Sequence, residues 1–323
     1  MRIGITGAAG FIGKAIAARA RAAGHEVVGL DLRDGDRELG GMGVAEIAGD
    51  INDTAAVRRL CEGVERVYHT AALVKEGGEW AAFVRANVVG ADTVALVAKQ
   101  CGVRELVHFS SVMVYGFDFE DGVTEEGPLD PADNPYCATK ILAEECVMRH
   151  HARGGFEVYV IRPGDVYGPG SIPWTVRPVE MMRRRQWVDV EGDRAILNHV
   201  YIDNLLDGID VALAAGASGA PLNITDGERT TVRAFFSHYR RMLGIGFIPE
   251  VPRGVALPVA GIAERALRAL GRAAEVNREA VRYLLRPGAY GIGRIRALGF
   301  APRVGLEEGM ERCEAWLRAE GRL

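Results

Sequence analysis

Between residue 2 and about residue 165, short unbroken runs rich in Val, Ile and Ala alternate with longer stretches whose apolar residues recur at helical spacing. The runs Arg2–Thr6, Glu26–Asp31, Val44–Ala48, Arg66–Ala71, Glu105–Ser110 and Glu157–Arg162 read as strands, and the stretches between them as helices. A strand that is apolar along its length, not at every second position, has both faces buried. That predicts an α/β fold with a doubly wound parallel sheet. Beyond about residue 170 the order loosens, with helices expected near 175–186, 203–215, 231–243, 256–285 and 305–320, separated by pieces marked by Pro and Gly. The reading is a sheet domain over residues 1–168 and a smaller, mixed substrate-binding region over 169–323, with the chain crossing back to the first domain around 198–225.

Composition narrows the function classes. The 323 residues are 48% hydrophobic and 25% charged, which is a globular composition. A net charge of −4 gives no field to hold a polyanion, so no nucleic-acid partner is expected. All but four of the 39 basic residues are arginine, the lysines being Lys14, Lys75, Lys99 and Lys140. The five cysteines are scattered without metal-ligand spacing, so no metal site is expected and a reducing, cytoplasmic setting fits best. Neither a signal-like apolar segment at the start nor a window of about 20 apolar residues is found, so no transmembrane span is expected.

The first strand runs into Thr6-Gly7-Ala8-Ala9-Gly10-Phe11-Ile12-Gly13 and then into a helical segment. Glycines at such a turn let backbone N–H groups approach a pyrophosphate, and the helix N-terminus adds its positive dipole. The second strand ends at Asp31, placed to accept a hydrogen bond from a ribose 2′-hydroxyl, which favours NAD over its 2′-phosphorylated form. These features make the sheet a Rossmann-type dinucleotide site. Gly49-Asp50-Ile51 and His69-Thr70-Ala71-Ala72 follow the third and fourth strands at the carboxyl edge of the sheet, where ligands of such sheets bind. His69 itself reads as a packed residue, not a catalyst.

The fifth strand ends in Ser110-Ser111-Val112-Met113, and Asn134-Pro135 opens a helix that carries Tyr136 and Lys140. Four residues apart on a helix, Tyr136 and Lys140 share a face. An ammonium beside a phenol favours the phenolate, which suits a general base, and Ser111 can hydrogen-bond the same substrate oxygen.

Taken together, the chain resembles an extended short-chain dehydrogenase/reductase, the superfamily of NAD-dependent epimerases and dehydratases, over essentially its whole length. The residues that carry the resemblance are Thr6 to Gly13, Asp31, Asp50-Ile51, Ala71-Ala72, Asn87, Ser111, Tyr136, Lys140 and Arg162 to Pro169. It implies Tyr136 as catalytic acid/base, Lys140 as ribose anchor and pKa modulator, Ser111 as donor to the substrate oxygen, and Asn87 as a backbone-ordering residue. It also implies NAD contacts from Phe11, Ile12, Ser110, Pro163 and Val166, and a homodimer through the helices near 80–100 and 135–150.

Departures from the family pattern select a branch. Val112-Met113 stand where dehydratases carry an Asp-Glu pair, and neither residue moves a proton. Asp165 replaces an Asn that helps hold nucleotide sugars, and a carboxylate there would disfavour a diphosphate. Leu197 falls where those enzymes place a phosphate-binding arginine, although Arg177, Arg183, Arg184 or Arg194 could supply cations. Ile172-Pro173-Trp174, Met181-Met182, Trp187 and the stretch Val255 to Ala263 are apolar instead. The chain is therefore most similar to 3-beta-hydroxysteroid dehydrogenases and sterol dehydrogenase-like proteins, which implies an NAD-dependent oxidoreductase acting on a secondary alcohol or ketone of a largely apolar substrate. The alternative is a nucleotide-sugar 4-epimerase. Val112, Met113, Asp165, Trp174 and His199 are the expected substrate-pocket residues. Residues 255–270 read equally as a lid, a peripheral membrane contact or core.

Overall fold

A computed structural model describes every residue except 34, 76–77, 191–194 and 270–277. Six strands follow the expected order: β1 (Arg2–Thr6), β2 (Glu26–Asp31), β3 (Ala45–Ala48), β4 (Arg66–His69), β5 (Glu105–Phe109) and β6 (Glu157–Pro163). They pair in parallel, and a seventh strand, Pro221–Ile224, adds beside β6, so that the sheet runs from Pro221–Ile224 through β6, β5, β4, β1 and β2 to β3. Proline opens that last strand at the edge, where a missing ladder donor costs least.

Alternate residues of each strand feed two separate cores. Ile3, Ile5, Tyr159 and Ile161 pack with the helices Phe11–Ala22, Ile202–Ala214 and Leu306–Ala319. Val28, Leu30, Val158 and Val160 pack with the helices Thr54–Cys61, Gly90–Gln100 and Pro135–Met148. Each such side chain, fully buried, contributes roughly 1.5–3 kcal/mol, so a slip of one residue would forfeit both layers.

The helix expected near 80–100 forms from Trp80 to Gln100 with π turns across Val84–Val89. Contrary to the sequence expectation, it is long and apolar enough to cross a membrane by length and composition alone. Ala91, Val94, Ala95, Val97 and Ala98 are nevertheless buried on the second core.

The later chain is held by short pairings: Asp165–Tyr167 with His199–Tyr201, Ile196–Leu197 with Thr230–Thr231, and Asp189–Val190 with Glu250–Val251. Of the helix expected over 256–285, the described residues form Arg253–Ala269 and Arg278–Leu284, and residues 270–277 lie outside them. Ala256 and Ala260 pack against Val281 and Leu285, whereas Val255, Val259 and Ile262 are exposed on the outer side.

Asn204 joins three segments of this region. Its amide donates to Asp226 and to the Val304 carbonyl, both at 2.8 Å, while its oxygen accepts from the Arg303 and Val304 N–H groups at 2.9 and 3.0 Å. Asn204→Leu keeps the branched shape but strands these buried partners. It should cost about 4 kcal/mol or more in denaturant unfolding, at roughly 1–3 kcal/mol for each of the four unsatisfied groups; unchanged stability would refute the assignment.

Candidate active site

β1 ends at Thr6 and the chain turns through Gly7, whose φ of +68° only glycine adopts without strain. A Cβ on Gly7 would lie 2.8 Å from the Ala71 nitrogen, and one on Gly13 would lie 2.3 Å from the Gly7 oxygen. The turn, the start of the helix Phe11–Ala22 and the loop after β4 are thus pressed together by backbone contact. Gly10 caps that helix without a side-chain hydrogen bond, and its first turn carries no acid, so its leading N–H groups remain donors for an anion.

At the end of β2, Asp31 accepts from the Ala9 N–H and the Arg33 N–H, each at 3.1 Å. The Arg33 side chain meets Asp31 at 3.4 Å and donates to the Ala9 carbonyl at 2.7 Å. Asp50 accepts from Asn52 and Arg85, and these contacts hold its carboxyl below the usual range. Ile51 packs beneath the Gly90 backbone, and Phe11 lies beside Gly168 and Gly170. Backbone donors, a strand-end carboxylate and a glycine cradle fit a dinucleotide such as NAD.

The helix Pro135–Met148, which carries the candidate pair Tyr136 and Lys140, begins where expected. Asn134 caps it by accepting from the Tyr136 and Cys137 N–H groups at 2.9 and 3.1 Å. Ala132 and Asp133, both left-handed, turn the chain into this cap, a strained conformation costing of order 1–3 kcal/mol per residue. Asn87 orders the neighbouring loop, exchanging hydrogen bonds with the Leu73 backbone at 2.7 and 3.1 Å and donating to Thr139 at 3.1 Å.

Ser111, Tyr136 and Lys140 come together. The Ser111 hydroxyl accepts from the Met113 N–H at 3.1 Å, and its contact with the Tyr136 phenol favours the phenolate. Burial is stronger and pushes Tyr136 up to about 12. Lys140 sits 5.8 Å from the Tyr136 ring centroid and donates to the Phe109 carbonyl at 2.7 Å. Here the structure differs from the simple expectation of an ammonium lowering the phenol, because desolvation acts on both groups: it lowers Lys140 to about 8 against the opposing pull of Glu144. Behind them His69 and His108 stack at 5.3 Å, and His69 contacts Thr6 at 2.7 Å. Burial, reinforced by Lys140, lowers His69 to about 3, so it stays neutral and structural.

The other expected residues have these surroundings. Ser110 donates to Glu144 beneath the catalytic helix. Val112 points into a cluster with Tyr115, Val123 and Tyr290, whereas Met113 packs with Tyr136, Phe117, Cys137 and Tyr283. His199, expected in the pocket, has its ring nitrogens taken by Asp226 at 2.8 Å and Thr230 at 2.7 Å and belongs to the core. Leu197 and Met182 are core residues, and Trp187 packs on Phe236 at 4.4 Å. Pro163 ends β6, and Val166 is buried on the short strand that follows. Arg177, Arg183 and Arg184 are exposed, and Arg194 lies outside the described residues.

Trp174 does reach the site region, 5.6 Å from the ring of Tyr283, whose hydroxyl donates to Asp165. Sequence reading missed the roof to which Tyr283 belongs. Glu279 accepts from Asn134 at 2.7 Å, Arg282 lies over the Phe117 ring at 4.4 Å, and Arg286 pairs with Asp165 at 2.6 Å. Its only signal was an arginine within the apolar run Tyr283-Leu284-Leu285-Arg286 ahead of Pro287-Gly288.

The comparisons with known proteins agree with this geometry. The NAD dependent epimerase/dehydratase family model matches residues 3–225. The chain belongs to that family. A 2-alkyl-3-oxoalkanoate reductase of Stenotrophomonas maltophilia is 29% identical over 98% of this chain and 99% of its own length. A UDP-glucose 4-epimerase of Mycolicibacterium smegmatis is 31% identical over 77% of this chain and 85% of its own. Among solved structures, MoeE5 in complex with UDP-glucuronic acid and NAD is 26% identical, with a TM-score of 0.77 and 99% of each chain covered. The chain is thus an enzyme of the extended short-chain dehydrogenase/reductase type, and its cofactor is NAD.

The depressed Lys140 sets a pH dependence. A buried ammonium that titrates near 8, against about 10.5 when unfolded, costs stability below pH 8 and is relieved as it deprotonates. Between pH 8 and 10 the wild type should gain stability over Lys140→Met by about 1.4 kcal/mol per pH unit, measured by urea unfolding. A constant difference across that window would show that Lys140 is not desolvated.

Proposed function

We propose that the protein interconverts a secondary alcohol and a ketone on a largely apolar substrate, with NAD as redox partner. The observation that carries this reading is the wall around Tyr136, where Met113, Phe117 and the ring of Tyr283 pack as a largely apolar surface. The likeness to the 2-alkyl-3-oxoalkanoate reductase, which spans nearly the whole of both chains, supports a ketone as the reacting group.

The glycine turn and the free N–H groups of the helix Phe11–Ala22 hold the pyrophosphate, and Asp31 takes the adenosine ribose by exchanging its Ala9 and Arg33 contacts. Bound there, NAD would supply the hydride chemistry at the carbinol carbon and, in its oxidised form, a positive charge in the site. Tyr136 Oη takes the proton of the substrate hydroxyl on oxidation and returns it on reduction. Ser111 Oγ donates to the same oxygen. Lys140, with three donors and one of them spent on Phe109, keeps two for the nicotinamide ribose and the Tyr136 side.

The second reading, a nucleotide-sugar 4-epimerase, draws on the likeness to the UDP-glucose 4-epimerase and would use the same three side chains. Exposed Trp80, Val89, Leu96 and Leu142 on the helices Trp80–Gln100 and Pro135–Met148 support a homodimer through these helices. Five free cysteines support a reducing, cytoplasmic setting.

Tyr136→Phe should leave NAD affinity within a few-fold of wild type while turnover falls about 10²–10⁴-fold, the range of general acid–base catalysis; retained turnover refutes the mechanism. Asp31→Ala should narrow the preference for NAD over NADP, read from the ratio of their dissociation constants. Nicotinamide absorbance with 3-hydroxysteroids and other apolar secondary alcohols should rise. Interconversion of UDP- or dTDP-sugars at constant NADH, followed by chromatography, would favour the epimerase instead.

A further inference from the structure

Asp165 and Arg286 form an ion pair with no exposed side-chain surface, assembled from the strand after β6 and the turn after the helix Arg278–Leu284. The carboxylate is fully engaged: Arg286 Nη2 reaches it at 2.6 Å, the Asn198 N–H at 3.1 Å, and the Tyr283 hydroxyl donates to its other oxygen. The guanidinium is not. Its Nε donates to the Tyr283 carbonyl at 2.9 Å and its Cζ lies 3.8 Å from the Tyr283 ring centroid, but among the described residues Nη1 meets only the Tyr290 hydroxyl at 3.3 Å and the Met113 sulfur at 3.8 Å. A thioether is a weak acceptor, so one edge of Arg286 keeps donor capacity on the wall that Met113 shares with Tyr136.

A buried guanidinium beside the reacting centre is a natural fork for phosphate or carboxylate. Asp165 alters that property. It supplies the countercharge the cation needs, and from behind the wall its field opposes any second anion brought against that wall. The sequence expectation of a lone carboxylate at position 165 is thereby corrected, because the group arrives with its own cation and the pair is neutral as a whole.

We propose that the Asp165–Arg286 pair determines substrate charge: Asp165 withholds Arg286 from anionic groups, so the pocket admits uncharged ketones and alcohols and excludes nucleoside diphosphates. This deepens the oxidoreductase reading and rests on it for the nature of the admitted substrate.

The test is calorimetric titration of UDP into the full-length protein with NAD present, at fixed ionic strength. Asp165→Asn, close in shape and uncharged, should bind UDP at least tenfold more tightly than wild type, and Asp165→Asn with Arg286→Met should return to the wild-type value. Wild type binding UDP as tightly as Asp165→Asn overturns the proposal, as does a double variant that keeps the gain. Breaking a buried pair is strongly destabilising. If circular dichroism shows Asp165→Asn unfolded, the wild type decides alone: a ketone carrying a methyl ester should bind at least tenfold more tightly than the matching carboxylate, and equal binding overturns the proposal. The two readings fail separately. Ketone turnover without a UDP gain in Asp165→Asn removes only the role of the pair, whereas a UDP gain in a protein that turns over no apolar ketone removes only the substrate assignment.

Discussion

A single buried carboxylate, Glu144, fixes the catalytic helix to the sheet. Arg162 of β6 grips both its oxygens, at 2.8 and 2.6 Å, and Ser110 at the end of β5 donates to one of them. The same arginine donates to the Tyr115 hydroxyl at 2.7 Å, which in turn donates to Asn223 at 2.9 Å on the last strand of the sheet. One ion pair therefore ties the helix carrying Tyr136 and Lys140 to β5, β6 and the edge strand. Its hydrogen-bond complement is nearly complete, the condition under which a buried pair specifies geometry instead of merely costing desolvation. It also places a negative charge one helical turn beyond Lys140, where it offsets part of the burial that lowers that lysine.

The active site is a balance between burial and such local charges. Desolvation raises Tyr136 and lowers Lys140, which brings both toward their neutral forms. Under the proposed mechanism, proton movement at this pair depends on charge delivered from outside the two residues. Ser111 contributes through its hydroxyl and Glu144 through its field, and a bound oxidised nicotinamide would contribute most directly.

The sheet and its site edge were legible in the sequence because they obey local rules. Continuous apolar runs marked β1 to β6 to within one or two residues, and Gly7, Gly13 and Asn134 stand where a tight turn, a backbone contact and a helix cap require them. The strand Pro221–Ile224 escaped notice: four residues opening with proline give too little periodicity, and only pairing with β6 makes them a strand. The roof escaped for a different reason. Whether Tyr283 and Arg286 meet Asp165 is decided by contacts across more than a hundred residues, and pattern within a window carries no trace of them. His199 misled in the opposite direction, since a histidine near a site motif is chemically suggestive until Asp226 and Thr230 are seen to occupy it.

The edge strand has a consequence for how the chain is made. Synthesis delivers β1 to β6 well before Pro221–Ile224, so for roughly sixty residues of translation the outer ladder of β6 presents unpaired N–H and C=O groups beside an apolar surface. The polar chain from Glu144 through Arg162 and Tyr115 also lacks its Asn223 terminus during that interval. A nascent sheet with an open edge recruits other strands. Vectorial assembly of this enzyme thus passes through a stage in which β6 is the open edge, a place that Pro221–Ile224 later takes.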